Sequence, residues 1–127
     1  MIYQFTINTP IKPYVRMTRR GKWTDPEAQA YIASQTAIGL QIKQQMTAQG
    51  WDMLPVKTPL RLEVAVTMPG RLYTMDADNL LKAVADALQG TVFKNDLWIV
   101  EARVTKALGN DHLTLIEVGA VKTEVTN

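Results

Sequence analysis

The stretch MDADNLLKAVADAL, residues 75–88, gathers acidic side chains and one lysine at the start of a predicted helix. Asp76 and Asp78 are two positions apart, so on an extended segment their side chains point to the same side, with Cα atoms about 6.6 Å apart. Such a pair could hold Mg²⁺, which proteins bind through one or two carboxylates, water and substrate phosphate oxygens. The structural alternative is that Asp78 or Asn79 caps the helix and contributes about 1 kcal/mol.

Lys82 lies one helical turn after Asp78 and one turn before Asp86, so the three side chains share a polar stripe. A lysine in a first turn opposes the helix macrodipole, and local stability therefore explains it poorly. A cation beside metal-binding carboxylates would instead suit a substrate phosphate. The alternative is a surface ion pair with Asp78 or Asp86, which contributes at most about 1 kcal/mol.

A third carboxylate, Asp96, lies in the turn KND just before a predicted strand. If that strand neighbours the strand that ends near Pro69, both acidic sites meet at one edge of the sheet. Aspartate is common in turns, so this position alone does not assign a function.

The composition limits the class of protein. The 127 residues, 46% of them hydrophobic, correspond to one globular domain. With no cysteine, the chain has neither disulfides nor a thiolate zinc site or nucleophile, and a reducing compartment is indicated. The start of the chain has no signal-peptide pattern and no apolar run has membrane-spanning length, so we expect a cytoplasmic protein. His112 is the only histidine, which gives a histidine base or zinc cluster little support.

Hydrophobic periodicity predicts the order β-α-β-α-β-β in an α+β domain, with a mixed sheet and two helices packed on it. The first helix is expected to open with a capping box of Thr24 and Glu27 and to end at Gly50. The last two strands are expected to form an antiparallel hairpin through the turn LGND. The predicted strands cover residues 2–8, 59–70, 97–107 and 112–121, and the helices cover residues 24–50 and 79–89.

Residues 75–106 resemble the signature D-x-D-N-L-x-K-x-x-x-D-x-L-x-G of the RusA-type Holliday-junction resolvases, including the acidic turn and a V-x-K strand downstream. The family's basic loop and Q-A-Y helix start are also similar to RMTRRGKWTDPEAQAYIAS, residues 16–34. One departure concerns the turn, where many members have two acidic residues and this chain has Asn95 before Asp96.

The resemblance implies a small homodimeric endonuclease, often encoded by phages and prophages, that nicks four-way DNA junctions symmetrically in recombination and repair. It implies dependence on Mg²⁺, with Mn²⁺ as a substitute. By resemblance, Asp76, Asp78 and Asp96 bind catalytic metal and Lys82 assists the chemistry. Asn95 lowers the local negative charge and is expected to weaken metal binding.

The first 24 residues contain five cations and no acidic residue, whereas the whole chain has a net charge of only +2. We expect four of these cations, together with Tyr14 and Trp23, to contact DNA phosphates or an unpaired base. These four are Arg16, Arg19, Arg20 and Lys22. A solvated surface loop is the structural alternative.

Two other functions are compatible with parts of this pattern. One is a branched-DNA-binding protein that has kept the fold and lost cleavage. The other is a nucleotide phosphohydrolase, which the basic loop and the lack of a glycine-rich phosphate cradle disfavour.

Overall fold

A computed structural model describes residues 2–16, 25–71 and 75–122. In these ranges the elements follow the predicted order, which confirms a single α+β domain with a mixed sheet. A 3₁₀ helix, Asp96–Trp98, directly precedes the third strand. The elements are β1 (Ile2–Ile7), α1 (Pro26–Gln49), β2 (Leu60–Met68), α2 (Ala77–Leu88), β3 (Ile99–Leu108) and β4 (Leu113–Ala120).

The four strands form one sheet in the order β1-β4-β2-β3. β4 is antiparallel to both of its neighbours, whereas β2 and β3 are parallel. Residues of β2 alternate between buried and half-buried along its whole length, as expected for a central strand covered by helices on one face. β3 is an edge strand, and most of its side chains are exposed.

The predicted hairpin between the last two strands is wrong. β3 pairs with one edge of β2 and β4 pairs with the other, so β2 lies between them. Pairing both edges satisfies the backbone N–H and C=O groups of this buried strand. The turn residues in LGND predict that the chain reverses direction, but they carry no information about which strand becomes the neighbour.

Gly109 lies where the connection from β3 to β4 passes over the end of β2. Its N–H donates a hydrogen bond to the Met68 carbonyl at 2.9 Å. A Cβ atom at position 109 would overlap the Cγ2 methyl group of Thr67. The chain can therefore cross β2 closely because residue 109 has no side chain.

Both helices begin two residues away from their predicted starts. The cap of α1 is Asp25, whose side chain accepts a hydrogen bond from the N–H of Glu27 at 3.0 Å. Thr24, the predicted cap, lies outside the described residues. Gly50 ends α1 with a φ of 68°, a left-handed conformation that favours glycine.

The core lies between the helices and one face of the sheet. Trp51 closes one end of it by stacking on Tyr3, with ring centroids 4.5 Å apart. Neither helix in the described part of the chain is both long and apolar enough to cross a membrane. The largest fully buried side chains include Phe5, Phe93, Ile7, Ile38, Ile42, Leu60, Leu62, Leu80 and Leu88.

Candidate active-site groove

A groove of about 260 Å³ runs between α2 and the edge strand β3. Its floor is apolar, and its polar side chains are two carboxylates and one ammonium group. The groove brings together Asp78, Lys82 and Asp96, which the sequence predicts as site residues. The lining consists of Leu62, Asp78, Leu81, Lys82, Ala85, Asp96, Ile99 and Ala102.

Asp76 forms the N-cap of α2, next to the part of the groove that Asp78 lines. Its Oδ1 atom accepts a hydrogen bond from the Asp78 N–H at 2.9 Å, and its carbonyl accepts from the Leu80 N–H at 3.0 Å. The helix therefore begins at Ala77, and the capping role predicted for Asp78 or Asn79 belongs to Asp76. The cap leaves the side chain of Asp78 exposed in the first turn, at the positive end of the helix dipole.

Asp96 is held at the other end of α2. Its N–H donates a hydrogen bond to Oε1 of Gln89, the residue that follows the helix, at 3.2 Å. Asn95 caps the 3₁₀ helix by accepting a hydrogen bond from the Leu97 N–H at 2.9 Å. An amide caps a helix about as well as a carboxylate, so Asn95 has a structural role that needs no negative charge.

Lys82 makes a contact that the spacing of charges does not predict. Its Nζ atom lies 4.6 Å from the centroid of the Tyr14 ring. Within the described residues, no carboxylate oxygen lies within 4.0 Å of this ammonium group. The ion pair with Asp78 or Asp86 that the sequence left as an alternative is therefore not formed.

Asp86 pairs with a tyrosine of the other helix. The Tyr31 hydroxyl donates a hydrogen bond to Asp86 Oδ2 at 3.2 Å. Burial raises the pKa of the Tyr31 phenol, and the Asp86 carboxylate raises it further. Tyr31 also meets the Tyr14 ring edge-on, with centroids 5.7 Å apart. The ring of Tyr14 thus has contacts within the protein, and its contact with DNA stays a prediction.

The family assignment follows from a match along most of the chain. The family model of the endodeoxyribonuclease RusA matches residues 8–119. The protein belongs to the RusA endodeoxyribonuclease family. No match was found among the curated proteins. The range matched by the RusA model contains both segments that form the groove.

Of the basic residues predicted to contact DNA, the described part of the chain contains one, Arg16, and its side chain is exposed. Arg19, Arg20 and Lys22 lie outside the described residues, as does Trp23. The backbone N–H of Tyr14 donates a hydrogen bond to the Asn79 carbonyl at 3.1 Å. This bond fastens residue 14, which precedes the basic residues in the chain, to the first turn of α2, next to the groove.

The RusA-family groove contains ligands suited to Mg²⁺. Asp78 and Asp96 supply carboxylate oxygens, and two carboxylates completed by water and phosphate oxygens are a usual protein contribution to a Mg²⁺ site. In the described ranges, no group of three histidine, cysteine, aspartate or glutamate side chains is placed to hold one metal ion. The carboxylate oxygens are therefore donors of the type that Mg²⁺ prefers.

Sequence reasoning missed two supporting residues. Lys106 Nζ donates a hydrogen bond to the Met75 carbonyl at 2.6 Å, which ties the residue before Asp76 to β3. Tyr31 anchors Asp86, as described above. Both lie in motifs that carry the family resemblance, V-x-K and Q-A-Y, so those motifs contained the signal. Their partners depend on tertiary packing and could not be named from spacing.

Proposed function

We propose that the protein is a Mg²⁺-dependent endonuclease that resolves four-way DNA junctions by paired symmetric nicks. The observation that carries the proposal is the groove in which Asp78, Lys82 and Asp96 lie together, in a chain of the RusA family. Recombination and repair, often on a prophage genome, are the processes in which such an activity is used. Mn²⁺ is expected to substitute for Mg²⁺.

In this proposal the carboxylates of Asp78 and Asp96 would hold the metal in the groove. Asp76 is the third ligand that the family resemblance implies, and its side chain would have to move towards the other two, because the three carboxylates are not placed around one ion in the described residues. Its Oδ1 atom is engaged in the helix cap, so its other carboxylate oxygen is the one available. When bound, Mg²⁺ neutralises phosphoryl charge, activates the attacking water and stabilises the leaving oxygen.

Lys82 provides the positive charge that the protein itself contributes to the reaction. Its ammonium group donates hydrogen bonds to a phosphate oxygen and stabilises the charge that develops there as the P–O bond breaks. The apolar floor formed by Leu62, Leu81 and Ile99 lowers the effective dielectric around this contact. No histidine, cysteine or serine nucleophile is needed for such hydrolysis.

DNA binding is assigned to the basic segment that precedes α1. Arg16, Arg19, Arg20 and Lys22 contact phosphates on either side of the scissile bond, and they hold the polyanion against an acidic groove that would otherwise repel it. A four-way junction has approximate two-fold symmetry, so paired nicks are most simply made by a two-fold homodimer with one groove in each subunit.

The test is cleavage of a labelled synthetic four-way junction and of a linear duplex with the same arm sequence, each with Mg²⁺ and with EDTA. Paired nicks at symmetric positions in the junction alone, abolished by EDTA, are expected. Equal cutting of the duplex would contradict junction selectivity. Tight junction binding without cutting would instead support a branched-DNA-binding protein.

A further inference from the structure

We propose that Tyr14 is a positioning residue that holds the Lys82 ammonium over the groove. Tyr31 packs against the Tyr14 ring, and Asp86 holds Tyr31 in place through a hydrogen bond. The inference rests on the proposed function, because it concerns how Lys82 is made ready for a DNA phosphate. Tyr14, Tyr31 and Asp86 act through Lys82 and need no contact with DNA.

The first observation is that Lys82 contacts an aromatic ring and not a carboxylate. Asp78 and Asp86 each lie one helical turn away, the spacing that favours ion pairs on a helix. The Lys82 Nζ atom instead lies 4.6 Å from the Tyr14 ring centroid. In the part of the chain that the structure describes, Lys82 makes neither an ion pair nor a hydrogen bond to another side chain.

The contact with a ring affects how readily Lys82 can bind a phosphate. A lysine paired with a carboxylate must break that pair before it can bind a phosphate. A ring face attracts the charge of an ammonium group without accepting its N–H groups in directional hydrogen bonds. Tyr14 therefore restricts the long, flexible side chain of Lys82 while leaving its donors available.

The second observation is that two contacts hold Tyr14 itself in place. Its N–H donates to the Asn79 carbonyl at 3.1 Å. Its ring meets Tyr31 at an interplanar angle of 90°, and the Tyr31 hydroxyl donates to Asp86 at 3.2 Å. The segment after β1 is thus joined at Tyr14 to both helix α1 and helix α2.

The same contacts also engage Asp86, which could otherwise form an ion pair with Lys82. Asp86 is the carboxylate one turn beyond Lys82, and it accepts the hydrogen bond of Tyr31. Helix α2 therefore presents Lys82 to Tyr14 and Asp86 to Tyr31. This division keeps the Lys82 charge directed to the groove, where Asp78 and Asp96 lie.

The test compares Tyr14→Leu with Tyr14→Phe. The Tyr14 hydroxyl makes no hydrogen bond among the described residues, so phenylalanine keeps the ring and changes little else. Single-turnover cleavage of a four-way junction with Mg²⁺ is measured in two backgrounds, wild type and Lys82→Met. Thermal unfolding of every variant reports whether the fold is kept.

We expect Tyr14→Phe to cleave like wild type and Tyr14→Leu to lose about 10-fold to 100-fold in rate, the usual effect of misplacing a reacting group. In the Lys82→Met background, Tyr14→Leu should cause no further loss. An equal loss from Tyr14→Leu in both backgrounds would overturn the proposal, because Tyr14 would then act independently of Lys82.

A second readout does not depend on cleavage. Lysines are reductively methylated with ¹³C, and the Lys82 signal is assigned by its absence in Lys82→Met. A ring-current shift of that signal should persist in Tyr14→Phe and disappear in Tyr14→Leu. An unshifted signal in the wild type would refute the placement. A normal shift in a protein that cuts no junction would fault the proposed function and leave the placement intact.

Discussion

Tyr31 places a phenol hydroxyl beside the Asp86 carboxylate, in the interface of α1 and α2. The side chain is only 4% exposed. Burial, and then the neighbouring carboxylate, raise the pKa of this phenol above its ordinary value of about 10. The protonated tyrosine is therefore favoured in the folded state relative to the unfolded chain.

Because of this raised pKa, the free energy of unfolding should change with pH in the alkaline range. Because the folded-state pKa is the higher one, the contribution of Tyr31 is complete below about pH 10 and is lost as the pH rises towards the folded-state value. Tyr31→Phe should lower the free energy of unfolding by about 1.5 kcal/mol at neutral pH. We expect this difference to shrink above about pH 10 in urea unfolding. A difference that does not change with pH would contradict the buried pair.

Asn95 allows a second prediction at the residue scale. Asn95→Ala should lower the free energy of unfolding by about 1 kcal/mol, because the cap on the Leu97 N–H is lost. Asn95→Asp keeps the cap and should unfold like wild type. Its added negative charge beside Asp96 should also lower the Mg²⁺ concentration needed for half-maximal cleavage. Urea unfolding and a Mg²⁺ titration measure the two effects, and a strongly destabilised Asn95→Asp would refute the capping role.

At the scale of elements, the crossing of β2 by the β3–β4 connection depends on Gly109. Gly109→Ala should lower the free energy of unfolding by about 1 to 2 kcal/mol, because the new methyl group meets Thr67 Cγ2. In a Thr67→Ser background, which lacks that methyl group, most of the loss should disappear. Additive effects of the two substitutions in urea unfolding would show that the clash is not the cause.

Local sequence signals predicted the elements well because their causes are local. The alternation of β2 and the glycine that ends α1 act within a few residues. The neighbour of β3 and the partner of Lys82 were missed, since each is decided between segments far apart in the chain. Asp78, Lys82 and Asp96 line one groove, and their role as site residues stays a prediction. The expected meeting of the acidic sites at one edge of the sheet is wrong, because the parallel pairing places Asp96 beside the start of β2, whereas Asp76 follows the end of β2.

At the scale of the whole molecule, positive and negative charge are separated along the chain. The first 24 residues carry five cations and no acidic residue, although the net charge is only +2. The groove, in contrast, contains two carboxylates, Asp78 and Asp96. Under the proposed function, the basic segment would attract the DNA and a metal ion would allow the DNA to approach the acidic groove, so DNA binding and metal binding would depend on each other.

The central claim is that the groove between α2 and β3 is the catalytic site. The most direct measurement compares Asp78→Asn and Asp96→Asn with Glu63→Gln in cleavage and binding of one labelled four-way junction. Each substitution removes a single negative charge. Glu63 lies on the sheet face opposite the helices, where it pairs with Arg61 at 3.8 Å, so it serves as the matched control.

We predict that both groove variants lose at least about 100-fold in cleavage rate, because each loses a carboxylate that stabilises the transition state through the metal. Their junction affinity should be unchanged or tighter, since less negative charge faces the DNA. Glu63→Gln should cleave like wild type. If the two groove variants cleave as fast as Glu63→Gln, the catalytic site lies elsewhere and the account is wrong.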